Sequence, residues 1–240
     1  MAETGEVSCF VSEERESDVC FLTHEPEKLL VAFDPIDGSS VAGAGLAVGT
    51  SLGIYRGQDS FTNCTGRDQV AAMYLIYGPR ILLVYSVGEG VHLFAYNEEK
   101  WIFELEQEDI KLQDGVPICS IGSLQKSCDI KGFPDLILHW EKSKYGLRYS
   151  GSMAADMNGI LYRGGGVFAY PASKLRLLYE CNPFAFLIEQ AGGKAVNMCG
   201  TAILDLPIKH IDATSPILIG DKANVEVAES FLMDNCTLEG

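Results

Sequence analysis

Basic residues are scarce in this chain. Lysine and arginine number 18 against 33 aspartates and glutamates, a net charge of −15 over 240 residues. Such an acidic chain offers no general electrostatic footprint to nucleic acid. Long apolar runs are also missing. Stretches such as Ile81–Tyr85 and Phe184–Ile188 fall far short of a membrane span, so no membrane partner is expected. No basic-then-apolar leader opens the sequence, since Met1–Val7 is acidic and polar. The eight cysteines (9, 20, 64, 119, 128, 181, 199 and 236) include no Cys-x-x-Cys pair and no zinc-finger spacing with histidine. Separate thiols in a reducing compartment follow as the expectation, with a regulatory disulfide as the alternative. That places the protein in the cytoplasm, with an organelle left open. The four histidines share no metal-ligand spacing.

What is present is ample apolar material, 47% of the residues, with 25 glycines and 9 prolines as punctuation. This suits one large domain or two small ones. Leu29–Phe33 reads as a buried strand ending at a turn, Asp34-Pro35-Ile36-Asp37-Gly38-Ser39-Ser40. Further strands are expected over Gly45–Arg56, Asp68–Tyr77, Arg80–Ser86 and Val91–Tyr96, with an exposed strand within residues 98–109. The texture changes near Gln113–Gly115. Beyond it, Pro117–Ser123, Val167–Tyr170 and Ser215–Gly220 read as strands. Helices are expected over Phe133–Lys144, Ser152–Arg163, Asn182–Ala191 and Ala223–Met233. In the second of these, Met153, Met157, Ile160 and Leu161 share one face. Asn182 reads as the cap of the third, with Pro183 at its first position. The class is mixed α and β with layered sheets, divided into a metal-binding sheet region over 1–115 and a substrate-binding α/β region over 116–240.

Charge is unevenly spread. Residues 1–40 hold ten acids against Arg15 and Lys28, whereas residues 141–180 hold six bases against three acids. Two differently solvated faces would explain this, as would a cation site at one end and a phosphate site at the other. The seven-residue turn is the strongest local signal. Asp34 and Asp37 straddle a proline-fixed turn, the Ile36 carbonyl adds an oxygen, and Gly38, Ser39 and Ser40 follow with N–H groups for an anion. Hard oxygen ligands beside anion donors suit phosphoryl transfer. An ordinary Asx turn is the bland alternative. Glu13 and Glu14 gain meaning only if folding brings them beside Asp34 and Asp37. Glu180, alone between an apolar run and a helix, is either a further ligand or a helix-terminus charge. Lys174 and Arg176 alternate with Leu175 and Leu177, so both point the same way from one strand. Arg148, Tyr149 and Tyr170 are further phosphate donors, or surface side chains.

Asp34–Ser40, RYSGSM (148–153) and KLRLLYECNP (174–183) resemble the fructose-1,6-bisphosphatase and sedoheptulose-1,7-bisphosphatase family. Ser12-Glu13-Glu14, Gly165–Pro171 and Glu189–Gly193 fit it too, and the match runs in order along nearly the whole chain. TGRDQVAA (65–72), IYGPR (76–80), Lys100-Trp101 and SIGSL (120–124) look like the sedoheptulose type, while RYSGSM, FAYPA and YECNP look like the fructose type. The resemblance implies that Glu13, Glu14, Asp34, Asp37, Glu180 and the Ile36 carbonyl hold Mg²⁺, with Mn²⁺ or Zn²⁺ as alternatives. It implies that Asp37, Gly38, Ser39 and Ser40 meet the phosphate under attack, and that Glu14 orients the water. Arg148, Tyr149, Tyr170 and Lys174 would hold the distal phosphate and the sugar, with Met153 close by and Arg148 reaching a neighbouring subunit of a dimer or tetramer.

Two departures shape the expectation. Gly122-Ser123-Leu124-Gln125 stands where the fructose type has Asn-Glu-Gly-Tyr. Family members also carry a long helical stretch, including an Asp that helps orient the water, ahead of the Ser-Glu-Glu motif, and this sequence begins a few residues before that motif. The expected fold is an α/β/α/β/α sugar-phosphatase architecture without its first helical layer, weakly active or inactive by itself. The expected reaction is hydrolysis of the C1 phosphate of sedoheptulose 1,7-bisphosphate, with fructose 1,6-bisphosphate second. An inactive sugar-phosphate-binding subunit and an inositol-monophosphatase-like enzyme are the other readings.

Overall fold

The computed structural model describes residues 6–14, 20–21, 28–56 and 60–232. Eight strands form the first sheet: β1 Val7–Ser12, β2 Cys20–Phe21, β3 Leu29–Asp37, β4 Val48–Tyr55, β5 Gln69–Tyr77, β6 Ile81–Ser86, β7 His92–Asn97 and β8 Ile102–Gln107. Their order is β2-β1-β3-β4-β5-β6-β7-β8, antiparallel except for the β1–β3 pair. The short helix α1, Ser39–Ala42, lies between β3 and β4. Five strands form the second sheet, in the order β10-β9-β11-β13-β12: β9 Ile118–Ile121, β10 Gly146–Leu147, β11 Val167–Arg176, β12 Lys194–Val196 and β13 Thr214–Gly220. Helices α2 Leu124–Ser127, α3 Phe133–Lys142, α4 Met153–Arg163, α5 Asn182–Gln190 and α6 Lys222–Leu232 complete the chain. The closing helix was expected to reach Met233, which lies outside the described residues, as does Cys236.

Strand alternation builds the layers. Residues 49, 51, 53 and 55 of β4 are buried and those between them half-buried, so one face of the large sheet is covered. Helices α4 and α5 cover it, contacting β4 and β5 on one side and the second sheet on the other. Tyr74, Val84, Met157, Ile160, Phe184, Leu187 and Ile217 meet in this central core. A second core lies on the far face of the smaller sheet, where Phe133, Leu136 and Trp140 of α3 pack with Val225, Ala228 and Leu232 of α6. Sheet, helices, sheet and helices are thus stacked in that order.

Three local expectations change. First, β3 does not stop at Phe33. It runs to Asp37, pairing Asp34 with Ser51 and Asp37 with Gly49 across a register shift. Pro35 sits inside that irregularity, where a missing N–H costs no ladder bond. Second, β11 passes through Pro171 to Arg176, again across a shift in its pairing with β13. Third, Asn182 is not a cap. A π-helical turn over Leu177–Cys181 runs straight into α5, leaving Asn182 helical at φ −65° and ψ −48°. Its amide donates instead to the Tyr55 hydroxyl at 3.2 Å. Among the cysteines, 64, 119, 128 and 181 are free thiols, but Cys199 is disulfide-bonded, so the disulfide alternative holds there rather than separate thiols throughout. Among the described residues no helix is long and apolar enough to cross a membrane.

Candidate active site

A cleft of 670 Å³ opens where the β3 end, the β1 end, the start of α4 and the far end of β11 meet. Its wall includes Glu13, Glu14, Asp34, Ile36, Asp37, Gly38, Ser39, Ser40, Tyr149, Met153, Tyr170, Lys174, Arg176 and Glu180. Every candidate residue but Arg148 therefore lies on one surface.

Parallel pairing of β1 with β3 places Ser12 opposite Phe33, and the Glu13 N–H donates to the Phe33 carbonyl at 3.1 Å. Glu13 consequently stands beside Asp34, and the two carboxyls are hydrogen-bonded. Asp34 Oδ1 accepts the Ile36 N–H at 2.9 Å, the Asx turn that was the bland reading. The turn and the site are the same feature: Asp34 and Asp37 are buried while Ile36 projects. Gly38 enables the next step. Its φ is +88°, and a Cβ there would lie 2.5 Å from Ser152 Cβ. The chain turns from β3 into α1 in contact with Ser152, and the first N–H groups of α1 have no intrahelical partner.

Asp37 is clamped to the beginning of α4. Its Oδ2 accepts the Ser152 hydroxyl at 2.6 Å and the Ala154 N–H at 2.7 Å. Ser152 also caps the helix by accepting the Ala155 N–H at 3.2 Å. Glu180 arrives from the π-helical turn, whose extra residue per turn aims the side chain inward. Its Oε2 accepts the Arg176 N–H at 2.6 Å, and Ser51 Oγ of β4 donates to the neighbouring Tyr179 carbonyl at 2.5 Å. The Arg176 guanidinium lies 3.7 Å from Glu13.

So many acids in one buried place resist ionisation. Burial first, then the charges of Glu13 and Asp37, pushes the Asp34 carboxyl up to about 8. Burial and the charges of Asp37 and Glu13 hold Glu180 well above the usual carboxylate range. Burial raises Glu13 too, opposed by its bond to Asp34 and by Arg176. Asp37 is raised by burial against its bonds to Ser152 and Ala154. Among the described residues no three His, Cys, Asp or Glu side chains close into a preformed cation cage. The donor set still fits a hard divalent cation in kind. It is all oxygen, its buried acids are anchored by backbone N–H groups, and its charge outweighs the nearby Arg176 and Lys174.

Across the cleft, Ser123 joins the two tyrosines. Its backbone N–H faces the Tyr149 hydroxyl and its side chain the Tyr170 hydroxyl, near enough to act on both. Gly122 lies flat against the Tyr170 ring, where a Cβ would come within 1.8 Å of a ring carbon. The segment that departs from the fructose type is thus the one that seats Tyr170. Arg148 faces elsewhere. Its Nη1 donates to its own Leu147 carbonyl at 2.7 Å, and it lines a separate cavity of 260 Å³ with Arg163 and Asp156.

Sequence reasoning missed Ser152, Ser123 and Asp156. Only the small, cap-forming start of RYSGSM hinted at the first. Asp156 Oδ1 accepts the Ser150 N–H at 2.8 Å, and Ser150 Oγ in turn accepts the Ser152 N–H at 3.1 Å. This holds the loop that carries Tyr149 and Ser152. Asp156→Ala is expected to destabilise the fold by about 1–3 kcal/mol, the cost of leaving a buried donor unpaired, whereas Asp156→Asn keeps an acceptor and costs less. Urea denaturation of both variants checks this, and equal losses would remove the role assigned to the Ser150 bond.

The architecture is that of a layered, two-sheet α/β protein with an acid-lined cleft of 670 Å³ between its parts, and its relatives are phosphatases. Profiles of the fructose-1-6-bisphosphatase N-terminal and C-terminal domains match residues 1–108 and 112–233. A fructose-1,6-bisphosphatase class 1 from Pelobacter propionicus is 42% identical over 238 residues, spanning 96% of this chain and 72% of that protein. The corresponding Chlorobaculum tepidum protein is 38% identical, covering 96% and 75%. Among solved structures, holo fructose-1,6-bisphosphatase of Leishmania major superposes with a TM-score of 0.88 at 30% identity, over 96% of this chain and 76% of that one. A Toxoplasma gondii protein described as a sedoheptulose-1,7 bisphosphatase gives 0.88 at 28% identity, over 98% and 78%. The chain belongs to the fructose-1,6-bisphosphatase family, a family of phosphatase hydrolases.

Proposed function

We propose that this protein hydrolyses the C1 phosphate of a ketose bisphosphate with the help of a divalent cation, Mg²⁺ first. One observation carries the reading: Glu13, Asp34, Asp37 and Glu180 share a cleft with Gly38–Ser40 on one side and Tyr149, Tyr170 and Lys174 on the other. Residues 1–115 supply the acids up to Asp37 and residues 116–240 supply Glu180 and the sugar-facing groups. A bound divalent cation would polarise the phosphoryl oxygens and lower the pKa of the attacking water. Acidic ligands alone would repel a phosphate dianion, so charge balance demands the cation. Glu14, with Glu13, orients the water. The N–H groups of Ser39 and Ser40 hold the reacting phosphate. Tyr149, Tyr170 and Lys174 hold the distal phosphate and sugar, and Met153 packs beside them.

The class 1 relatives favour fructose 1,6-bisphosphate as substrate, which reverses the order drawn from the sequence segments. The Toxoplasma neighbour keeps sedoheptulose 1,7-bisphosphate as the second reading. Phosphate release from both bisphosphates with Mg²⁺, and with EDTA instead, tests the reading. Hydrolysis of neither, or full activity in EDTA, overturns it.

A charge-assisted bond to phosphate is worth roughly 1.5–3 kcal/mol. Lys174→Ala is therefore expected to raise KM by about one to two powers of ten. An unchanged KM would remove Lys174 from the distal clamp. Because Arg148 does not reach its own cleft, we assign it to the site of a second subunit in a homo-oligomer. Mixing Arg148→Ala with Asp37→Ala chains should yield more activity than the two parents summed. No gain despite subunit exchange would end that assignment.

A further inference from the structure

A second cavity, of 710 Å³, lies on the other side of the β11 segment that carries Lys174. It shares Ser173 and Thr214 with the catalytic cleft, and the hydroxyls of these two residues meet at 2.8 Å along the boundary. Its size falls within the usual range for small-molecule sites.

The lining divides by chemistry. Ile130, Leu177, Met198 and Leu206 make an apolar floor. Lys126, Lys209 and His210 stand exposed at the rim, and among the described residues none of the three has an ion-pair partner. Asp212, the acid in the lining, is turned toward Arg176, whose Nη1 lies 3.9 Å from its carboxylate and donates to its carbonyl at 3.2 Å. In a chain of net charge −15, three unpaired cationic or protonatable side chains around one apolar-floored cavity are a local reversal of sign. Partnered surface charge does not explain them. A ligand with a negative head and an apolar body satisfies both parts of the lining.

We propose that this cavity is a second ligand site, distinct from the catalytic cleft, for a small organic phosphate with an apolar body. Lys126, Lys209 and His210 take the phosphate, and the body lies on Ile130, Met198 and Leu206. The proposal does not depend on which bisphosphate is hydrolysed, or on hydrolysis at all.

Phenylphosphonate is a suitable probe, because it carries a ring and a negative head and its P–C bond resists a phosphatase. The whole chain is labelled with ¹³C-methyl methionine. Met198 reports on this cavity and Met153 on the catalytic cleft, with Met198→Leu confirming the assignment. The expected result is a saturable shift of Met198 that persists in Lys174→Ala, where binding in the cleft is weakened. In the Lys126→Ala/Lys209→Ala double variant the affinity should fall by about tenfold or more, the cost of losing charge-assisted contacts. Inorganic phosphate should bind more weakly than phenylphosphonate. Three results would each overturn the proposal: no Met198 shift, a Met198 shift lost in Lys174→Ala, or a double variant that titrates like the parent protein. Equal binding of inorganic phosphate and phenylphosphonate would overturn the apolar half of the site.

Discussion

Asp37→Ala is expected to abolish phosphate release. Two contributions vanish together: a carboxylate among the candidate cation ligands, and the clamp that ties the end of β3 to the start of α4 through Ser152 and Ala154. Asp37→Asn separates them. An asparagine carbonyl still accepts from the Ala154 N–H, so the fold and its thermal midpoint should survive, while the negative charge is gone. Loss of a charge that assists metal-supported phosphoryl transfer is worth several kcal/mol, so turnover of Asp37→Asn should drop by about three powers of ten, and that of Asp37→Ala, which also loses the clamp, should fall further, below detection. Circular dichroism establishes that Asp37→Asn is folded, and phosphate release then reads the chemistry. A folded Asp37→Asn with ordinary turnover would remove Asp37 from the reaction.

The second large effect is a competition between protons and cations, read in stability rather than activity. Folding raises the Asp34 carboxyl from its ordinary 3.8 to about 8, chiefly by burial. The folded chain thus holds a proton that the unfolded chain releases, and the stability this supplies is fully present below the unfolded value. It is lost as pH rises toward the folded value. In the absence of divalent ions the melting temperature is expected to fall between about pH 4 and pH 8. Glu180 and Glu13, both raised, act in the same direction. A divalent cation needs the deprotonated ligands, so it binds best where the proton is weakest. Mg²⁺ at one hundred times its dissociation constant adds about 2.7 kcal/mol, or roughly 5–10 °C for a chain of this size. That rise should appear at pH 8 and shrink toward pH 5. In Asp34→Asn both the pH slope and the Mg²⁺ response should flatten. An equal Mg²⁺ response at both pH values, or none at either, would break the link between these acids and a cation.

Much of this was readable along the chain. The Asp34–Ser40 string declared itself, because proline, glycine and paired carboxylates at that spacing encode a turn and its chemistry locally. Helix α4 was readable for the same reason: apolar residues three and four apart, and a glycine after the last turn, which takes φ +75°. Most strands of the first sheet came from runs and hairpin signals of the same short range. Glu180 and Lys174 were legible as candidates, but only as isolated charges with a bland alternative each.

What local pattern could not carry was decided by register and packing. Glu13 becomes a neighbour of Asp34 because β1 lies parallel to β3, a pairing that the period of two leaves open until both faces are buried. Glu180 turns inward because a π-helical turn, held against β4 by Ser51, re-aims it, and the same turn displaces Asn182 from its expected cap. Ser152 meets Asp37 across 115 residues of chain, and Arg148 is directed away from its own chain's cleft. The raised pKa values and the second cavity arise only once these segments are pressed together, since burial and proximity of charge are properties of three-dimensional packing. The sequence by itself determined which residues could do chemistry and which local turns would present them. The tertiary structure decided which of them share a cleft, because non-local pairing is set by the burial of whole faces rather than by neighbours in the chain.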